Sequence, residues 1–264
     1  MPNAILTITL IQRWRGIVLW SSGMILIALI FTGFYDSFQS EIKSMIEAAP
    51  APLQAFYGVG SQDASSPAGW LGLELYGFIL PLVLVTIGIG FGGSAIGEEE
   101  NSGTLELLLS SPVSRTTILV HKALAIEIQL ALVATSVWLG ILIGTMLFPF
   151  DISLVRVFWA SFMAWLLGGL MGCLALSVQS LTQSRSYAVG IGASVLLVSY
   201  LANILSNLMN SLDYLRYISP LHYYSGSNVL ITGPYWVHIL ALSTVSAALF
   251  VLALINFSKR DTGI

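Results

Sequence analysis

Long apolar runs separated by short polar segments dominate the pattern of this chain. Five of the runs lie between successive charged residues, with twenty to twenty-eight uncharged residues in each interval. A sixth run follows a polar segment rich in glycine and proline and ends just before Lys259. About 20 helical residues cross the roughly 30 Å apolar core of a bilayer, so the pattern predicts six membrane-spanning helices. We place these spans near residues 16–35, 75–96, 124–148, 157–178, 187–208 and 235–257.

The composition excludes most other classes of protein. Charged residues make up 9% of the 264 residues and hydrophobic residues 56%, whereas about a quarter of an ordinary soluble domain is charged. There is no basic excess and no low-complexity tract, so we expect neither a disordered chain nor a nucleic-acid partner. Backbone groups in lipid must bond internally. We therefore expect an all-α polytopic membrane protein in which residues 1–264 form a single transmembrane domain.

Positively charged residues near the span ends predict the orientation. With both termini on one side, that side holds seven of them and the other side holds three. Because cytoplasmic loops carry an excess of Lys and Arg, we expect both termini in the cytoplasm. The seven are Arg13, Arg15, Arg115, Lys122, Arg185, Lys259 and Arg260, and the three are Lys43, Arg156 and Arg216.

The segment before the first span has two interpretations. Residues 3–15 place apolar side chains among polar ones, with Trp14 near two arginines. This spacing suits a helix that lies in the inner interface, with its arginines facing anionic lipid. The alternative is an irregular start to the first span, and we favour the interfacial helix.

The loop between spans two and three combines acids with an apolar run. A cluster of acids suits the positive end of a helix dipole. Ser111-Pro112 ends the run, so we predict a short cytoplasmic helix. The helix either lies on the inner membrane surface or docks onto a cytoplasmic partner, and physical arguments alone leave these two alternatives even. The residues concerned are Glu98, Glu99, Glu100, Gly103, Thr104, Leu105, Glu106, Leu107, Leu108, Leu109 and, beyond the proline, Arg115.

The external segment before span six mixes aromatic residues with helix breakers. A loop this apolar is expected to re-enter the bundle, where protein protects its backbone from lipid. It would serve either as a gate or as a simple cap. Its candidate residues are Ser219, Pro220, His222, Tyr223 and Tyr224.

The sequence contains no motif that is typical of a catalytic site or of a cofactor-binding site. The three histidines are scattered and the single cysteine excludes a Cys-based zinc site, so we expect neither a catalytic nor a metal site. None of the three lysines completes a phosphate-binding loop. Gly88 and Gly92 lie inside a span, as do Gly168 and Gly172, so we expect these pairs to let helix backbones pack closely.

Two alternative functions rest on single polar groups. Intramembrane charge marks ion-coupled carriers, and Glu127 is the acid nearest to the interior of a span. A gradient-driven carrier using Glu127 is therefore one alternative, although the residue's spacing from Lys122 favours an interfacial position. An intramembrane protease using Ser227 and His222 is a weaker one.

The stretch from Glu99 to Lys122 resembles the signature of the membrane subunits of type-two ABC exporters. The signature is similar to Glu99-Glu100-Asn101-Ser102-Gly103-Thr104-Leu105-Glu106 followed by Ser110-Ser111-Pro112-Val113-Ser114-Arg115. The segments Ser219–Tyr224 and Phe257–Asp261 look like further family features, and the resemblance covers essentially the whole chain.

The resemblance implies an export permease without an ATP site of its own. ATP and Mg would be bound by a cytoplasmic ABC ATPase subunit, and a second permease subunit, identical or different, would complete the complex. The short helix after span two would be the coupling helix that docks onto the ATPase, and the 3–15 helix would be the family's elbow helix. We expect a multi-pass protein of the plasma membrane, in contact with lipid, in the inner membrane of a prokaryote.

Overall fold

The computed structural model describes residues 2–38, 66–97 and 114–259, together with the isolated positions 44, 48 and 50. Helices account for nearly all of these residues, which confirms the prediction of an all-α fold. The α-helices are α1 (Pro2–Gly33), α2 (Pro67–Leu73), α3 (Leu80–Ser94), α4 (Arg115–Leu147), α5 (Leu154–Thr182), α6 (Arg185–Leu208), α7 (Pro220–Tyr224), α8 (Gly226–Thr232) and α9 (Trp236–Ser258). A π-helical turn, Leu75–Ile79, joins α2 to α3, and a 3-10 helix, Asn210–Ile218, follows α6.

Within the described part of the chain, six helical segments are long and apolar enough to cross a membrane, which confirms the prediction of six spans. Each segment overlaps one predicted span, although several begin earlier than expected. The segments are Ile5–Gly33, Pro67–Ser94, Arg115–Leu147, Leu154–Thr182, Arg185–Ser206 and Trp236–Ser258.

Helix α1 is continuous from Pro2 to Gly33, so a separate interfacial helix over residues 3–15 is not confirmed. Gly16 is the only helix breaker near the expected boundary. One glycine in a helix costs only about 1 kcal/mol relative to alanine. The apolar residues before Gly16 therefore continue the helix of the first span instead of forming an element of their own.

Helix α4 begins at Arg115, about nine residues before residue 124, the predicted start of the span that it contains. Ser114 caps the helix, because its side chain accepts a hydrogen bond from the backbone N–H of Thr117 at 3.2 Å. The resulting 33 residues extend about 50 Å at 1.5 Å per residue, well beyond the apolar core of a bilayer. Part of α4 therefore lies outside that core.

The bundle is built around α3 and α5. In the most apolar stretch of Pro67–Ser94, 56% of the residues are buried, and in that of α5 the share is 67%. The corresponding shares are 22% in the first segment, 17% in α6 and 11% in α9. Helix α5 contacts α3, α4, α6 and α9, while α1 packs mainly on α4. We call the end where α3 and α5 terminate the Gly97 end, and the opposite end, which carries residues 210–232, the Tyr224 end.

Candidate functional site

Most of the predicted docking segment lies outside the described residues, including every position from Glu98 to Leu109. The structure does describe both flanks of this segment. Gly97 follows α3, and Ser114 and Arg115 begin α4. Because α4 and α5 run in opposite directions, the start of α4 lies at the same end of the bundle as the close of α5. Both flanks therefore lie at the Gly97 end.

Three helices meet around Gly97. A methyl group placed on Gly97 would lie 3.6 Å from Nε2 of Gln179 on α5 and 3.9 Å from Cβ of Arg185 on α6. One turn earlier, a methyl group on Gly93 would lie 3.2 Å from Cβ of Ala188. The chain thus enters the predicted docking segment from a point held between α5 and α6.

Arg13 ties α1 to the same end of the bundle. Its Nη2 donates a hydrogen bond to Oγ of Ser94 at 2.8 Å, and its guanidinium lies 4.4 Å from the centre of the Phe91 ring. A cation over an aromatic face is attracted by the negative ring quadrupole. Arg13 therefore lies at the level of the last turn of α3, and the residues before it extend α1 past that level.

The four glycines expected to pack form one contact between α3 and α5. A methyl group on Gly88 would lie 2.3 Å from the carbonyl oxygen of Gly168, and one on Gly92 would lie 2.3 Å from that of Gly172. No real Cβ fits at such a distance. The two helices run in the same direction here, and their backbones touch over a full turn. We call this contact the α3–α5 seam.

A second contact of the same kind, which was not predicted from the sequence, joins α1 to α4. A methyl group on Gly144 would lie 2.1 Å from Oγ1 of Thr32, and one on Gly140 would lie 2.8 Å from Cβ of Ala28. The spacing of four residues between Gly140 and Gly144 is the signal that identified the other two pairs. This spacing predicts close packing of α4 at the two glycines, although it does not identify α1 as the partner.

The segment predicted to be external consists of the 3-10 helix, α7 and α8, and several of its side chains are buried in the bundle. Leu221, Tyr224, Val229 and Leu230 are each at most 6% exposed. The hydroxyl of Ser219, itself 2% exposed, donates a hydrogen bond to the carbonyl oxygen of Ser199 on α6 at 3.1 Å. Residues 219–230 therefore pack against the spans.

Tyr224 completes the backbone hydrogen bonding of the π-helical turn. In that turn the N–H of residue i+5 bonds to the carbonyl of residue i, as the N–H of Leu80 does to Leu75. The matching donor for Tyr76 would be residue 81, which is a proline and has no N–H. The hydroxyl of Tyr224 supplies the missing donor to the Tyr76 carbonyl at 2.7 Å. Burial raises the pKa of Tyr224 well above its ordinary value, so the hydroxyl remains a donor.

The remaining candidates of the external segment surround His222. The rings of His222 and His238 are 5.6 Å apart, and Tyr223 contacts both. Ser227 donates its hydrogen bond to the Gly72 carbonyl, and this is its only hydrogen bond among the described residues, so it is not paired with His222 as a protease would require. Among all the residues that the structure describes, no group of three or more His, Cys, Asp or Glu side chains could hold a metal ion.

Glu127 lies deeper than the interfacial position expected from the sequence. Its carboxylate covers Gly169, where a methyl group would lie 2.7 Å from Oε1 and 2.9 Å from Oε2. Gly169 is the sixteenth of the 29 residues of α5. The carboxylate therefore lies near the middle of a central helix.

A known protein family matches nearly the whole chain. A family model described as "ABC-2 family transporter protein" matches residues 4–262. The match includes all six apolar segments, the predicted docking segment and the external segment. A search of curated proteins gives no match.

Proposed function

This chain belongs to the ABC-2 transporter family as a membrane permease, and we propose that it exports its cargo with energy from ATP hydrolysed by a separate ATPase subunit. The match over residues 4–262 carries this proposal. The sequence adds support, because none of Lys43, Lys122 and Lys259 lies in a phosphate-binding loop. ATP and Mg would accordingly bind to the partner subunit.

The segment between Gly97 and Ser114 is the proposed docking site for the ATPase. In the proposed helix, Leu105, Leu107, Leu108 and Leu109 would provide apolar contact for a protein groove, and the acids of the segment would flank them. The geometry of the flanks supports a coupling role. A displacement of this segment would act directly on α3 and α4, and the α3–α5 seam would pass it to α5.

A second permease subunit is part of the same proposal. The helices α1, α6 and α9 bury the smallest share of their apolar residues within this chain. Large apolar side chains remain exposed along α6, including Leu197 and Val198 at 62% each. Such faces suit either lipid or a second subunit, and a two-subunit permease would cover part of them.

The docking proposal is tested by disrupting the apolar face of the segment. The complex is co-purified from cells that express this chain together with its proposed ABC ATPase subunit, and ATP hydrolysis is measured in vesicles. We expect Leu107→Asp combined with Leu108→Asp to abolish co-purification and to lower permease-dependent hydrolysis at least tenfold. Burying an unpaired charge in an apolar groove costs several kcal/mol.

Ser102→Asp combined with Ser110→Asp is the control, because it adds the same charge to the same segment and removes no apolar side chain. We expect this control to retain the ATPase. Unchanged association and hydrolysis in the double-leucine variant would contradict the assignment of the coupling helix.

A further inference from the structure

The carboxylate of Glu127 has no cationic partner in the described part of the chain. Among these residues, the polar side chain beside the carboxylate is the uncharged indole of Trp165. The indole N–H of Trp165 donates a hydrogen bond to the backbone carbonyl of Glu127 at 3.1 Å. A carboxylate in the apolar layer is costly and usually serves a function. A group that neutralises the charge would remove much of this cost.

Aromatic rings lead along α5 to this carboxylate. Phe158, Phe162 and Trp165 recur at the spacing of one helix face, and Gly169 is the next position on it. Ring centres are 6.5 Å apart between Phe158 and Phe162, and 5.3 Å apart between Phe162 and Trp165. We call these three rings the aromatic stripe. It ends where the Glu127 carboxylate covers Gly169.

The stripe and the carboxylate can be reached from the surface of the bundle. Phe158 is 48% exposed, and Phe162, Trp165 and Glu127 are partly exposed. On α4, the neighbours of Glu127 at positions 124 and 128 are leucine and isoleucine, and both are exposed. A ligand in the apolar layer would therefore meet one negative charge beside a row of aromatic faces.

We propose that Glu127 and the aromatic stripe form a binding site for a lipophilic organic cation. The carboxylate would neutralise the positive charge, and the rings of Trp165 and Phe162 would add cation–π attraction and apolar contact. A metal ion fits less well, since Mg²⁺ and Ca²⁺ require six or more oxygen ligands. Within the described residues, one carboxylate and no metal-binding cluster are present here.

This inference also names a class of cargo, and in that respect it rests on the proposed function. The binding of the cation to this chain does not depend on the proposed function. It is measured on the complete chain without the ATPase, so a failure to bind the cation would leave the export proposal intact. A failure of the ATPase to associate would likewise leave the binding site intact.

Two ions of similar size and opposite charge provide the test. Binding of tetraphenylphosphonium and of tetraphenylborate is measured on the chain in lipid nanodiscs, with empty nanodiscs subtracted. We expect saturable binding of the phosphonium cation, weakened at least tenfold in Glu127→Gln. Glu74→Gln is the matched control, because it removes another carboxylate from a membrane segment, and we expect it to bind like the wild type.

A second variant separates the position of the carboxylate from its charge. Gly169→Ala puts a methyl group where the carboxylate now lies, so it should displace Glu127 and weaken cation binding without changing the net charge. Gly190→Ala is its control, since a methyl group there meets nothing within 4 Å. Wild-type affinity of Glu127→Gln for the cation would refute the proposal. Equal binding of both ions by the wild type, or equal loss of both in the variants, would refute it as well.

Discussion

At Tyr76, one backbone carbonyl depends on a side chain from a distant part of the sequence. Pro81 leaves this carbonyl without the donor that the π-helical turn requires, and the hydroxyl of Tyr224 replaces it. Tyr76 is itself fully buried, with its own hydroxyl 2.8 Å from Oγ of Ser161. Hydrogen bonds that are shielded from water therefore hold span two against the external segment. Removing one partner of such a bond costs free energy, because the other partner is left buried and unpaired.

Tyr224→Phe is expected to destabilise the protein by about 1–3 kcal/mol, because it leaves the buried Tyr76 carbonyl without a donor. The measurement is the melting temperature of the purified chain in detergent. Tyr223→Phe is the control. It removes a hydroxyl whose hydrogen bond to the Tyr217 carbonyl, at 3.0 Å, is exposed, and we expect a much smaller change. Equal shifts in the two variants would contradict the role assigned to Tyr224.

The sequence places Tyr224 in a re-entrant segment but cannot identify its partner. The mixture of aromatic residues and helix breakers indicates that residues 213–234 leave the water phase. The bond to Tyr76 follows from a π-helical turn, which depends on backbone geometry and on where Pro81 falls within it. No pattern of apolar and polar positions encodes that geometry.

At the scale of the helices, backbone contact between glycines determines which spans lie together. The spacing of Gly88 and Gly92, and of Gly168 and Gly172, predicts close packing of each helix against some neighbour. The structure adds that the two pairs face each other across the α3–α5 seam. Spacing within one helix cannot select the partner helix, because every glycine pair in the chain carries the same signal.

Gly92→Ala is expected to destabilise the bundle by about 1–3 kcal/mol, the usual cost of inserting a group into a packed core. Its methyl group would lie 2.3 Å from the carbonyl oxygen of Gly172, so the helices would have to separate. Gly90→Ala on the same helix is the control, since nothing lies within 4 Å of its methyl group. The readout is thermal unfolding, and a lower melting temperature for the control than for Gly92→Ala would refute this account of the seam.

For the whole molecule, the apolar runs alone predict the number of spans, and the structure confirms it. The depth of Glu127 was less predictable. Its spacing from Lys122 predicts an interfacial position, whereas its carboxylate lies over Gly169, near the middle of α5. The assumption that charged residues mark the span ends fails where a helix continues through them.

The orientation of the bundle can be tested with cysteines at its two ends. In a Cys173→Ala background, we expect Thr232→Cys at the Tyr224 end to react with a membrane-impermeant maleimide in intact cells. Ser258→Cys at the opposite end should react only after permeabilisation. Both positions are exposed. The distribution of Lys and Arg underlies this expectation, and the reverse labelling pattern would overturn it.

The bond between Tyr224 and the Tyr76 carbonyl also has an evolutionary consequence. A relative with any other residue at position 81 would regain the backbone N–H, and a tyrosine at position 224 would then no longer be needed. A relative that kept the proline and lost the tyrosine would carry an unpaired buried carbonyl. Selection should therefore couple the two positions in one direction: across the family, Tyr224 should be lost only where Pro81 has also been replaced.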